Sequence, residues 1–140
     1  MDEPTLFTKI IRGDIPSSMV AEGNEWYAFL DINPYRPGHT LVVPKEQAQR
    51  ISELSVDSRR ALMDGIVEVQ RRLSIEFETT DFSVNLNDGP LAGQEVPHVH
   101  FHVIPRAPEG TQRPLWKPPG DSTEPDFSML AELAERLQAH

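Results

Sequence analysis

No cysteine occurs anywhere in the 140 residues, which removes disulfides, thiol nucleophiles and cysteine-ligated zinc together. Cations are scarce as well: 13 Lys and Arg stand against 22 Asp and Glu, a formal net charge of −9. A field of that sign repels long polyanions, so nucleic acid and acidic membrane surfaces are poor partners. A single small phosphorylated molecule is different, because backbone N–H groups and a few side chains can hold it against an unfavourable net charge. No apolar run approaches the ~20 residues of a membrane span. The opening Met1-Asp2-Glu3-Pro4 has neither the basic start nor the apolar stretch of a secretion signal, so a cytoplasmic location is expected.

What is present suits one folded domain over residues 1–140. Hydrophobic residues make up 38% and charged residues 25%, and both helical and strand periodicities occur, which is enough for a single core. Residues 4–12 read as a short helix, with Lys9 and Arg12 in the last turn and Gly13 as its stop. That stop explains Arg12-Gly13-Asp14 more simply than an adhesion signal does. Two strands, 18–22 and 26–31, join at Gly23-Asn24, and a third runs over 39–44 with His39 at its mouth.

Ser55 caps a long helix reaching about residue 75, whose Leu62, Ile66, Val69 and Leu73 recur at helical spacing. Residues 81–87 alternate Phe82, Val84 and Leu86 against polar neighbours, predicting a strand buried on one side. A glycine-containing loop, 88–94, leads into a strand over 97–105. A proline-rich surface segment over 107–125 precedes a last helix, 126–139, with an apolar stripe of Phe127, Leu130, Ala134 and Leu137. His140, at the chain's end, is expected to fray and do nothing. The order of elements predicts an α+β fold: one antiparallel sheet of about five strands with helices packed on it.

His98, His100 and His102 occupy alternate positions of the 97–105 strand, so they project from one side while Val99, Phe101 and Val103 project from the other. The apolar set fixes the register, and the histidine row is expected to face a cavity or solvent. Chance gives three histidines at this spacing about 0.6% of the time for this composition, so a merely solvated polar face explains the row poorly. Two chemistries fit. Three imidazoles could hold one metal ion, although no Asp or Glu alternates within the strand to support them. Alternatively a neutral imidazole attacks phosphorus and the phosphoramidate is hydrolysed in a second step. Crowding keeps part of the row uncharged near pH 7, and amides of the 88–94 loop could meet the developing charge.

His98-Val99-His100-Phe101-His102-Val103-Ile104 matches the His-x-His-x-His-x-x signature of the histidine-triad (HIT) nucleotide-binding family. The resemblance extends to Phe7-Thr8-Lys9-Ile10-Ile11, Asp31-Ile32-Asn33-Pro34 and Gly38-His39-Thr40-Leu41-Val42-Val43-Pro44-Lys45, and covers a core of about residues 5–106. It implies a nucleotidyl hydrolase or transferase, usually a homodimer, needing no cofactor or metal and acting on a purine nucleotide. His100 would be the nucleophile, His102 a phosphate contact, and His98 and His39 orienting groups. By the same resemblance Asp31 would bind the ribose, Phe7, Ile10 and Ile32 the base, and Asn87, Gly93 and Gln94 the phosphate side.

The loop 88–94 resembles the fragile-histidine-triad branch, which cleaves dinucleoside polyphosphates, whereas the start and Trp116-Lys117-Pro118-Pro119-Gly120 resemble the phosphoramidase branch. Position 95 departs from both. They carry Ser or Thr there to help the leaving group, and this chain has Glu95, which either points away, binds a cation or donates a proton. A nucleotide-binding module with little turnover and a three-histidine metal hydrolase are the rival readings.

Overall fold

The alternation of apolar side chains along the strands lets one sheet bury both of its faces. The structure, a computed structural model, describes residues 3–106 and 125–140. Its strands are β1 (Met19–Glu22), β2 (Trp26–Leu30), β3 (Thr40–Pro44), β4 (Phe82–Leu86) and β5 (Phe101–Pro105). They form a single antiparallel sheet in the order β1-β2-β3-β5-β4. The helices are α1 (Leu6–Arg12), α2 (Val56–Phe77) and α3 (Phe127–Gln138), so the α+β architecture expected from the sequence is the one observed.

Trp26, Ala28, Leu30 and Val42 point to one face and pack with Leu62, Ile66, Val69 and Leu73 of α2 and with Leu130, Leu133 and Leu137 of α3. Tyr27, Phe29, Leu41 and Val43, at the intervening positions, point to the other face against Phe7 and Ile10 of α1. Burying such side chains contributes about 1.5–3 kcal/mol each. The close approach of α2 depends on Gly65, where a Cβ would lie 2.6 Å from Trp26 Cδ2.

Local signals fix the helix ends. Thr8 N–H donates to Thr5 Oγ1 (3.1 Å) at the start of α1, and Ser58 N–H to Ser55 Oγ (3.1 Å) at the start of α2; such caps contribute about 1 kcal/mol. Gly13 ends α1 at φ 85°, a conformation side chains resist, so the Arg12-Gly13-Asp14 triplet is a helix stop. The long helix runs two residues past Ile75.

Three expectations change. Phe82 and Leu86 pack against the main core, but Val84 between them is 41% exposed. β4 is the sheet's edge, and α2 lies over β2, β3 and β5 instead. His140 is docked: its Nε2 lies 3.0 Å from Glu76 Oε1. The same Glu76 pairs with Arg136 (2.8 Å), while Arg72 donates to the Leu137 and Gln138 carbonyls (both 3.1 Å), so α2 holds the end of α3. The strand boundaries also shift, since His39, Asp31, Asn87, His98 and His100 all lie just outside the hydrogen-bonded strands. The proline-rich segment, except Pro125, and Trp116-Lys117-Pro118-Pro119-Gly120 lie outside the described residues.

Candidate active site

Leu41 of β3 pairs with His102 of β5, which puts the histidine row on the α1 side of the sheet. The ladder between β3 and β5 stops at Val42↔Phe101, and before it the chain bends: Val99 N–H donates to Ala48 O (2.9 Å) and His98 N–H to Val96 O (2.8 Å). Only His102 is therefore a strand residue, although alternation persists, with Val99 and Val103 wholly buried in the opposite core. The row does not open to solvent as a whole. His98 is 0% exposed and His100 7% exposed, because α1 covers that face. Phe7 stands edge-on to both rings, its centroid 5.7 Å from His98 and 5.0 Å from His100.

Hydrogen-bond partners assign the tautomers. His100 Nδ1 lies 2.8 Å from His98 O, a carbonyl that can only accept, so Nδ1 carries the proton and Nε2 the lone pair. Among the described residues that Nε2 has no hydrogen-bond partner. Tyr35 N–H donates to His39 Nδ1 (3.1 Å), which places the His39 proton on Nε2. His39 Nε2 donates to His102 Nδ1 (3.0 Å), which leaves the His102 proton on Nε2 as a donor. His98 is held at both nitrogens, Nε2–H on Pro44 O (2.9 Å) and Nδ1 against Thr5 Oγ1 (2.7 Å). An uncharged nucleophilic nitrogen and a neighbouring N–H donor thus belong to adjacent rings, whose centroids are 5.2 Å apart.

Burial keeps the row uncharged. It lowers the pKa of His98 and, more weakly opposed by the His98 carbonyl and the charges of Asp31 and Glu95, that of His100. It lowers His102 to about 4, with His39 and His100 adding to the effect. At neutral pH all three are therefore neutral rings.

The other predicted residues surround this row unevenly. Asp31 accepts from Asn33 N–H (2.8 Å) and sets its second oxygen 3.6 Å from His39 Nε2. Ile32 beside it is 50% exposed, whereas Phe7 and Ile10 are buried in the α1-side core, so Ile32 alone of the three offers open apolar surface. Gly93, at φ 96°, closes a turn over Pro90–Ala92 and lies against the Asn87 amide. Gln94 is buried, donates Nε2–H to Gln49 O (2.7 Å), and leaves its Oε1 without a hydrogen-bond partner among the described residues. Glu95 is exposed, and its charge is felt at His100. Loop amides expected to face a phosphate are partly spent: those of Ala92, Gly93 and Gln94 close turns within the loop.

Asp31, His39 and His102 also place possible metal donors within 4.8 Å of one another. Their wiring opposes a resident ion. His39 Nδ1 already accepts an N–H, and its Nε2 proton holds His102, whereas metal-bound imidazoles usually donate from the other ring nitrogen. The three-histidine chelate within the row meets a similar obstacle, since both His98 nitrogens are engaged.

Sequence reasoning missed Thr5, Thr8 and Gln47 behind His98, and the Tyr35 amide behind His39. Thr5 was read only as part of the 4–12 helix, and nothing local links it to a histidine 93 residues away.

The HIT domain family model matches residues 12–109. A HIT-like protein of Methanocaldococcus jannaschii is 45% identical over 104 residues, covering 72% of this chain and 78% of that protein. The adenosine 5'-monophosphoramidase of Saccharomyces cerevisiae is 33% identical over 139 residues, covering 99% and 84% respectively. Among solved structures, a HIT-like protein from Bartonella henselae superposes with a TM-score of 0.82 at 28% identity, covering 99% of this chain and 98% of that one. A match over most of the sequence, joined to a shared fold, makes this chain a member of the HIT family.

Proposed function

We propose that this protein hydrolyses a nucleoside 5'-phosphate linkage through a covalent nucleotidyl-histidine, with His100 as the nucleophile. The observation that carries the reading is the tautomer of His100: Nδ1–H is bound by the His98 carbonyl, so a neutral ring presents the Nε2 lone pair. In the first step Nε2 bonds to phosphorus, the bond to the leaving group breaks, and that group departs with a proton taken from solvent. The ring becomes cationic, and its Nδ1–H then bonds more strongly to the His98 carbonyl. Water next attacks phosphorus and gives up a proton to solvent, the N–P bond breaks, and the neutral ring returns with its Nδ1–H kept.

His102, steered by His39, directs Nε2–H at a phosphoryl oxygen as negative charge grows there. Asp31 takes the ribose hydroxyls as an acceptor, Ile32 lies along the purine, and Asn87 and Gln94 contact the phosphate side. The name of the yeast relative favours a phosphoramidate over a dinucleoside polyphosphate as substrate. Glu95 favours it too, since a carboxylate near the reaction repels a polyanionic leaving group.

Incubation with adenosine 5'-phosphoramidate labelled in the phosphate, followed by an alkaline quench, is expected to trap label on His100. His100→Asn should lose more than about a hundredfold in kcat, as removal of a covalent nucleophile requires. Full turnover in that variant would refute the mechanism.

A further inference from the structure

We infer that Thr5 is a positioning residue for the reaction, acting on His100 through His98; this rests on the reading of His100 as nucleophile. Thr5 opens α1, and its hydroxyl has two duties. As acceptor it caps the helix, taking Thr8 N–H at 3.1 Å. As donor it faces His98 Nδ1 at 2.7 Å, a nitrogen left with a lone pair because the His98 proton sits on Nε2 against Pro44 O. The alternative acceptor for the Thr5 proton, Thr8 Oγ1, is farther at 3.2 Å.

The threonine is itself anchored. Gln47 Oε1 accepts from Thr5 N–H (2.9 Å) and from Thr8 Oγ1 (2.7 Å), and Gln47 Nε2 donates to Glu3 O (2.9 Å). The His98 ring is thus gripped on one side by α1 and on the other by the end of β3. Its main chain supplies the carbonyl that orients His100 Nδ1–H. Phe7, two residues beyond Thr5, seals the same pair of rings, so one turn of α1 sets both the tautomer of His98 and the seat of His100. A small displacement of a nucleophile is enough to lose much of its reactivity, which gives the linkage catalytic weight.

Three substitutions separate this role from simple helix capping. Thr5→Ser keeps the hydroxyl and should hold kcat within about twofold. Thr5→Val removes it and should lower kcat about tenfold while KM stays within about twofold, because the nucleophile is misplaced and substrate contacts are kept. Thr5→Asp keeps a good cap, with folding checked by its melting temperature, yet offers a carboxylate with no proton to give. His98 should then hold protons on both nitrogens, visible in the imidazole 15N spectrum, and kcat should fall. Wild-type kcat in Thr5→Asp and Thr5→Val, or an unchanged His98 spectrum in both, would overturn the inference alone. Failure to trap label on wild-type His100 would overturn the reading beneath it, while the His98 spectra would still report on the Thr5 link.

Discussion

The two faces of the sheet are built from the same strands and differ in almost everything else. On one side, α2 and α3 meet the strands through Val, Leu, Ile and Trp side chains, and none of the histidines is among them. On the other, the short α1 covers Tyr27, Phe29, Leu41 and Val43 but shares its territory with His98, His100 and Thr5. Because the alternation persists in the chain just before β5, neighbouring residues such as Val99 and His100 belong to different enterprises. The first face supplies most of the stability, and the second can then hold buried polar groups whose hydrogen bonds each add only about 0.5–1.5 kcal/mol net of the water they replace.

Leu73→Ala, on the apolar face, should have the largest effect on stability, about 2–5 kcal/mol, since Leu73 is completely buried and its loss leaves a cavity. Turnover per folded molecule should survive; if it falls as in His100→Asn, the two faces are not separable. Acid is expected to act on the histidine face. His98, His100 and His102 have lowered folded-state pKa values, that of His102 being about 4, against about 6.5 when unfolded. Between those limits the unfolded chain binds more protons, so this contribution is complete above about pH 6.5 and is lost as pH falls towards 4. Urea titrations at pH 7, 5.5 and 4.5 measure it, and replacing His102 by Asn should flatten the slope.

Gly65→Ala gains up to about 1 kcal/mol in helix propensity. It also forces a methyl group into the Trp26 ring, where overpacking costs about 1–3 kcal/mol, so a net loss is expected in thermal melts. The smallest effect should come from Arg136→Ala, which removes a half-exposed pair with Glu76 and should change stability by no more than about 0.5–1 kcal/mol.

The histidine row was legible because strand alternation is a local rule, and the helix ends at Gly13 and Ser55 because these are local signals, whereas the Thr5 cap was not read. Burial of the row was not, since the covering element, α1, lies more than 80 residues away in the chain. The same distance hid the Thr5–His98 bond. Phe7 and Ile10 matched a family pattern equally well as core or as pocket, and only packing distinguishes these. His140 shows the opposite error, where position in the chain suggested fraying and a carboxylate on α2 prevents it.

The two borders of the sheet are guarded differently. At β1 the pairing is interrupted by an irregularity between Met19 and Ala21, and α3 lies across that strand. At β4 five residues run in regular register with β5, and Val84 is open to solvent. Bulges and covering helices blunt the tendency of a strand to recruit another, and a regular border with an apolar side chain invites it. Any main chain that adds to this sheet, whether in assembly or in aggregation, is expected to join along β4, and a lysine at position 84 is the simplest way to turn it away.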